Sequence, residues 1–337
     1  MKKTLKLLFF LLLGLGFIWW FMGKLGPDEV VELRLSFQNA NYYWFSLAIL
    51  INILSHLVRA IRWRQLITPL GHRPKLGPSF LSVMSGYLAN LAVPRLGEVV
   101  RCGLLSNNQK IPFEKLIGTV IAERAVDTLL FLIILVSSLA FNLSIFNDYI
   151  RDSLSFSLSF GKGNIYIYIA IAILATSIAS LVLLRKKIRE TKIYKKSKGI
   201  LGGLYDGIRA IFKLKHPILF ILNSLLIWFL WILGSYIIFQ SLKDTSHLGF
   251  NIAIIITVLG AIGPVITPGG IGVFPAIIAE SLSVYKIGKP IGYASGWLMW
   301  ITSQIGALVL GLIGFIALPY KKKKNNIPIE NGIREDK

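Results

Sequence analysis

The sequence predicts an all-α integral membrane protein with about six full spans and two oppositely oriented, Pro/Gly-broken re-entrant hairpins, a candidate inverted repeat. Three observations predict it. Hydrophobic residues make up 54% of the chain and charged ones 16%, against about a quarter charged in soluble domains. Several apolar runs reach or approach the roughly 20 residues that a spanning helix needs. Two shorter apolar runs end at Pro94…Gly97 and at Pro268-Gly269-Gly270…Gly272.

The net charge of +21 would suggest nucleic acid in a soluble protein. Here the positive residues flank apolar runs, the pattern that sets membrane topology, so anionic lipid is the expected neighbour and nucleic acid is not. Lone Cys102 excludes an intrachain disulfide, and the four histidines lack metal-ligand spacing. No metal or cofactor is expected.

The chain divides into a membrane domain, residues 1–318, and a basic, polar cytoplasmic tail, residues 319–337. Residues 4–23 form a retained first span rather than a cleaved signal, because residues 23–26 lack a small-x-small cleavage site. An acid-rich external loop follows, with Asp28, Glu29 and Glu32. The second span starts at an aromatic belt, Tyr42 and Trp44, and runs to about Ile61. Arg59, Arg62, Arg64, Arg73 and Lys75 then mark a cytoplasmic loop. Of these, Arg59, Arg62 and Arg64, around Trp63, are weaker headgroup candidates, since basic residues at the end of a span more often snorkel to the interface; Arg62 is carried forward as a headgroup contact. His56 has the position of a packed core histidine.

Residues 79–93 are apolar but short and end at Pro94. A full span covers residues 116–141, an external loop 142–164 and another span 165–184. Residues 185–216 are the most basic segment, with apolar residues at helical spacing, and suggest an amphipathic helix on the anionic leaflet. Residues 217–240 span outward, 243–250 turn, 251–266 and 273–284 flank the second break, and 290–318 form the last span before Lys321–Lys324. Both termini are then cytoplasmic.

Proline ends a helix and glycine permits turns closed to other residues, so each break frees backbone donors beside a cavity. Paired breaks entering from opposite faces point to an inverted-repeat transporter. Arg95, Glu98 and Arg101 follow the first break at i, i+3 and i+6, a stripe if the segment is helical. Glu123, Arg124 and Asp127 fall inside a span, and a carboxylate there needs a cationic partner, with Arg95, Arg101 and Arg124 available. Asn90, Arg62, Arg95 and Arg101 are therefore candidate headgroup-binding residues, and Glu98, Glu123, Arg124 and Asp127 candidate cavity or pairing residues. The same residues also fit a salt-bridge network that only locks helices together.

Four segments carry a resemblance: Arg59-Ala-Ile-Arg62-Trp63, Asn90…Pro94-Arg95-Leu96-Gly97-Glu98…Arg101, Glu123-Arg124…Asp127 and Thr267-Pro268-Gly269-Gly270-Ile271-Gly272. In this order they resemble the lysylphosphatidylglycerol synthase transmembrane-region family, the flippase-like domain of the multiple peptide resistance factor, over nearly the whole chain. The resemblance implies a bacterial inner-membrane protein that moves or holds a charged-headgroup phospholipid or a polyprenyl-phosphate-linked lipid. The short polar tail leaves no room for the family's soluble aminoacylating domain, so that activity is not expected here. An intramembrane enzyme on a lipid phosphate and a non-transporting lipid-binding scaffold are the alternatives. Membrane lipids and a second copy of the chain are the candidate partners. Where the family often has a glutamate, three residues after the last glycine of the second break, this chain has Pro275, which suggests a second helix break; the nearest acid is Glu280.

Overall fold

The computed structural model describes residues 2–93, 95–141 and 214–324, and every described element is helical. The expectations for residues 142–213 and for the tail beyond Lys324 fall outside the described residues, as does Pro94. Helix α1 is Lys2–Met22. Helix α2, Pro27–Gln38, replaces the acid-rich loop expected from the sequence. Pro27 opens it with a preset φ, and Asp28 and Glu29 complement its N-terminal dipole. Glu29 Oε2 accepts the Gly26 N–H at 2.8 Å.

Helix α3, Tyr42–Ile67, is capped by Asn41, whose Oδ1 accepts the Tyr43 N–H at 3.0 Å. It runs past Ile61, so Arg62 and Arg64 lie within the helix rather than in a loop. Helix α4 is Leu76–Ala92 and α5 is Leu96–Gln109. Between them Val93 is extended and Arg95 takes φ 64°, a left-handed conformation uncommon for a residue with a Cβ. Helix α6 is Phe113–Phe141 and α7 is Pro217–Phe239.

Helix α8, Phe250–Gly260, and a turn at Gly263–Ile266 lead into the second break. There Gly269, Gly270 and Gly272 take φ of 59°, 78° and 74°, so the chain reverses where side-chain-bearing residues would be strained. Helix α9, Val273–Ser283, then runs without interruption. The expected second break at Pro275 does not occur. Pro275 sits in the first turn, where its missing N–H has no intrahelical partner to lose. Helix α10, Lys289–Lys324, ends the described chain.

Among the described residues, three helices are long and apolar enough to cross a membrane: Tyr42–Leu70, Pro217–Phe239 and Lys289–Pro319. Leu222, Leu225 and Phe229 on α7, with Val309, Leu312 and Ile316 on α10, are exposed and provide lipid-facing surface. The described chain is thus a multi-span α-helical membrane bundle. Small residues set its helix spacing, since hydrocarbon outside removes the hydrophobic drive between helices. Helix α10 packs on α9 through Gly292 and Gly296, on α3 through Gly306, and on α4 through Gly311 and Gly314. Ser85 Oγ donates to Gly311 O at 2.9 Å across the last of these contacts.

Two apolar cores lie along the bundle. One gathers Ile238, Ile255, Ile278 and Tyr293 with Ala48 of α3; the other gathers Leu105 and Leu116 with Ala60 and Trp63 of α3. The hairpin tips meet at the side of α4: a methyl group on Gly269 would fall against Leu91, and Trp300 Nε1 donates to Gly269 O at 2.7 Å. The second break also rests on α1, where Gly272 faces Gly14, Phe17 and Ile18.

Candidate functional site

Helix α3 carries His56, Arg59 and Arg62 at successive spacings of three residues, which puts them along one face. Helix α6 brings Glu123 and Asp127, one turn apart, to that face. Arg62 Nη2 reaches Glu123 Oε1 at 2.8 Å and Arg62 Nη1 reaches Asp127 Oδ1 at 2.7 Å. Arg59 Nε lies 3.2 Å from Glu123 Oε1, and its Nη2 pairs with Asp127 Oδ2. From α5, Arg101 Nη2 donates to Glu123 Oε2 at 2.7 Å.

Arg62 is 0% and Glu123 1% exposed at the side chain, so solvent does not screen these pairs. Three guanidiniums face two carboxylates, which leaves one positive charge in excess. Neutral donors, acceptors and rings complete the surroundings. Arg59 Nη1 donates to Tyr87 OH, and Arg62 Nη1 to Ser224 Oγ at 3.0 Å. The Arg101 guanidinium lies 4.8 Å from the Trp63 ring centroid, within cation–π range. Trp63 is fixed in turn by its Nε1–H donating to Thr119 Oγ1 at 2.9 Å.

A cleft opens beside the cluster, lined by Arg59, Tyr87, Asn90, Glu98, Arg101 and Arg124. It holds unmade hydrogen bonds of both signs: Arg101 Nε is a buried donor and Glu98 Oε2 a buried acceptor, each without a partner among the described residues. The other Glu98 oxygen accepts from Arg124 Nη2 at 2.7 Å, a partly exposed pair at the rim. Among the described residues, no group of three or more His, Cys, Asp or Glu is placed to hold a metal ion.

The sequence candidates separate into distinct places. Arg62, Arg101, Glu123 and Asp127 join the buried cluster, and Glu98 and Arg124 form the rim. Asp127 pairs with Arg59 and Arg62, not with the three arginines anticipated for it. The expected Arg95–Glu98–Arg101 stripe does not form, because Arg95 is the left-handed residue before α5. It is exposed, with no hydrogen bond or ion pair among the described residues. Gly97 lies within the first turn of α5 rather than at the break, where its backbone meets Gly86 of α4. Pro268, Gly269, Gly270 and Gly272 shape the second tip and add no charge to the cluster.

Asn90 Oδ1 accepts the Gly97 N–H at 2.7 Å and so caps α5 from α4. Asn90→Ala is expected to cost about 1 kcal/mol, the usual loss for a helix-capping side chain. Asn90→Asp, which keeps the acceptor, should recover most of it in thermal melting of the purified protein.

Arg59 was expected at the interface and is instead buried at the centre of the cluster. Its spacing to Arg62, three residues, is the counterpart of the four between Glu123 and Asp127, and that match was the available signal. Tyr87 and Ser224 carried no comparable signal. Arg64 does behave as a helix-end residue, its Nε donating to Pro74 O at 2.8 Å.

A multi-span helical bundle with a buried ion-pair cluster and a small charge-lined cleft beside it defines a helical membrane protein that holds charge inside its bundle. Residues 5–311 match the family described as Lysylphosphatidylglycerol synthase TM region, and the chain belongs to that family. Membership together with the bundle supports a flippase-like role in lipid transport. The chain is 24% identical over 342 residues to UPF0104 membrane protein MJ1595 of Methanocaldococcus jannaschii, covering 94% of this chain and 96% of that one. No solved structure matches.

Proposed function

We propose that the protein moves a phospholipid or polyprenyl-phosphate-linked lipid across the membrane, with Arg101 and Arg59, which line the cleft, receiving its phosphate and Arg62 behind them adding its charge. The carrying observation is the excess positive charge in the buried cluster, beside a cleft where Arg101 Nε has no partner among the described residues. A phosphodiester brings one negative charge and oxygens that accept the guanidinium fork. Glu98 Oε2 offers an acceptor to a hydroxyl or ammonium on the same headgroup. Glu123 and Asp127 hold the arginines in place, Glu98 and Arg124 form the mouth, and Asn90, Gly97 and Arg95 set the approach of α5.

In this reading residues 1–318 form the membrane domain, with about six spans and two opposed re-entrant hairpins. Residues 319–337 form the tail, and both termini face the cytoplasm. The break between α4 and α5 and the Pro268–Gly272 turn keep the hairpin tips short of crossing. Their contact through Leu91 and Gly269 supports that arrangement. Lipid tails stay in hydrocarbon while the headgroup passes the cluster.

Arg101→Gln tests the site. Glu123 keeps Arg59 and Arg62, so the variant should fold. Scrambling of NBD-labelled phosphatidylglycerol in proteoliposomes is expected to fall at least about tenfold, since a charge-assisted hydrogen bond is worth about 1.5–3 kcal/mol. A folded variant that scrambles at the wild-type rate would remove Arg101 from the path.

A further inference from the structure

Resting on that reading, we propose that His56 and Asn52 form a second polar station, which takes the headgroup from the arginine cluster toward the other side of the membrane. His56 is 3% exposed, and neither Nδ1 nor Nε2 has a hydrogen-bond partner among the described residues. One turn earlier on α3, Asn52 Oδ1 is buried and also lacks a partner among the described residues. Buried polar groups are nearly always paired, so adjacent unmet ones on one face mark a place where a guest completes the bonding.

The position fits a path. Asn52 to Arg62 spans about 15 Å at 1.5 Å per residue, half of a hydrocarbon core of about 30 Å. His56 lies midway along α3, between Ala48 in one apolar core and Ala60 and Trp63 in the other. The station and the cluster share Tyr87: its hydroxyl accepts from Arg59, and its ring lies 4.3 Å from the His56 ring, centroid to centroid. One turn beyond Tyr87, Leu91 meets the tip of the second hairpin at Gly269. The station therefore sits beside the meeting of the two tips, next to the arginines.

The chemistry differs from that of the cluster. Neutral imidazole gives one donor and one acceptor, and Asn52 Oδ1 another acceptor. These neutral groups complement a headgroup hydroxyl or a phosphate oxygen without binding it as tightly as guanidinium does. A headgroup leaving the arginine cluster needs such an intermediate, or it meets bare hydrocarbon. A histidine that only filled space would be poorly chosen, since phenylalanine packs in similar volume with nothing left unpaired.

His56→Phe, which keeps a ring on Tyr87, tests the station in the full chain in phosphatidylethanolamine/phosphatidylglycerol proteoliposomes. Scrambling of NBD-phosphatidylglycerol should fall about tenfold, the equivalent of one hydrogen bond. Phosphatidylglycerol retained on purification, measured by native mass spectrometry, should stay at the wild-type level, and the melting midpoint should hold or rise. A variant that scrambles at the wild-type rate overturns the station and leaves the arginine site standing. A wild-type protein that binds phosphatidylglycerol without moving it overturns both. If His56→Phe melts far below wild type, Asn52→Leu is judged on the same readouts, and lowered melting there too shows a structural role and overturns the station.

Discussion

Glu123→Ala is expected to destabilise the protein by about 3–5 kcal/mol, the range for removing one partner of a buried ion pair. Glu123 is the one carboxylate that all three buried arginines touch: Arg62 at 2.8 Å, Arg101 at 2.7 Å and Arg59 at 3.2 Å. Without it, Asp127 alone faces three guanidiniums from α3 and α5. Water cannot enter freely to replace it, because Glu123 and Arg62 are almost wholly inaccessible. Glu123→Gln keeps hydrogen-bond acceptance at one oxygen and should fall between wild type and alanine. Thermal melting in detergent reads the effect. A loss near 1 kcal/mol, typical of a surface pair, would show that the cluster is hydrated.

The second large effect needs no change in charge. Gly97→Val is expected to push α5 off α4, close the cleft and stop lipid movement, at a cost of about 1–3 kcal/mol from overpacking. A Cβ on Gly97 would meet the Gly86 carbonyl and the Asn90 side chain, and a Cβ on Gly86 would lie 2.9 Å from the Gly97 carbonyl oxygen. That contact brings Arg101 to the depth of Glu123. Gly103→Ala, on the same helix, is the control: its added methyl meets nothing within 4 Å, so helix propensity should leave it neutral or up to about 1 kcal/mol more stable. Equal transport by Gly97→Val and Gly103→Ala would show that the α4–α5 spacing does not set the cleft.

Much of the bundle was legible because hydrocarbon imposes a simple rule on sequence. A span must be apolar for its length, which exposed Pro217–Phe239 and the last helix, though α10 runs on to Lys324. The same rule made Glu123 and Asp127 conspicuous, since a carboxylate in a span demands a partner. Helix α2 was missed because its short, acidic sequence has the composition of a loop, and its helical signals are local: Pro27 at the start and acids in the first turn.

Pairing was the other miss. Spacing along one helix says which residues share a face, and not which face of another helix it meets. Arg59 looked like an interface residue because it lies near other arginines late in a span, yet α6 and α7 close over it. Arg95 was grouped with Arg101 by its spacing, but the left-handed turn before α5 takes it out of the helix that the spacing assumes.

Composition and breaks were enough to establish a helical membrane protein with charges it must hide and two interrupted segments. Which arginine answers which carboxylate depended on how closely the helices approach. That approach depends on glycines such as Gly86 and Gly97, whose contacts lie between helices and leave no periodic trace along the chain.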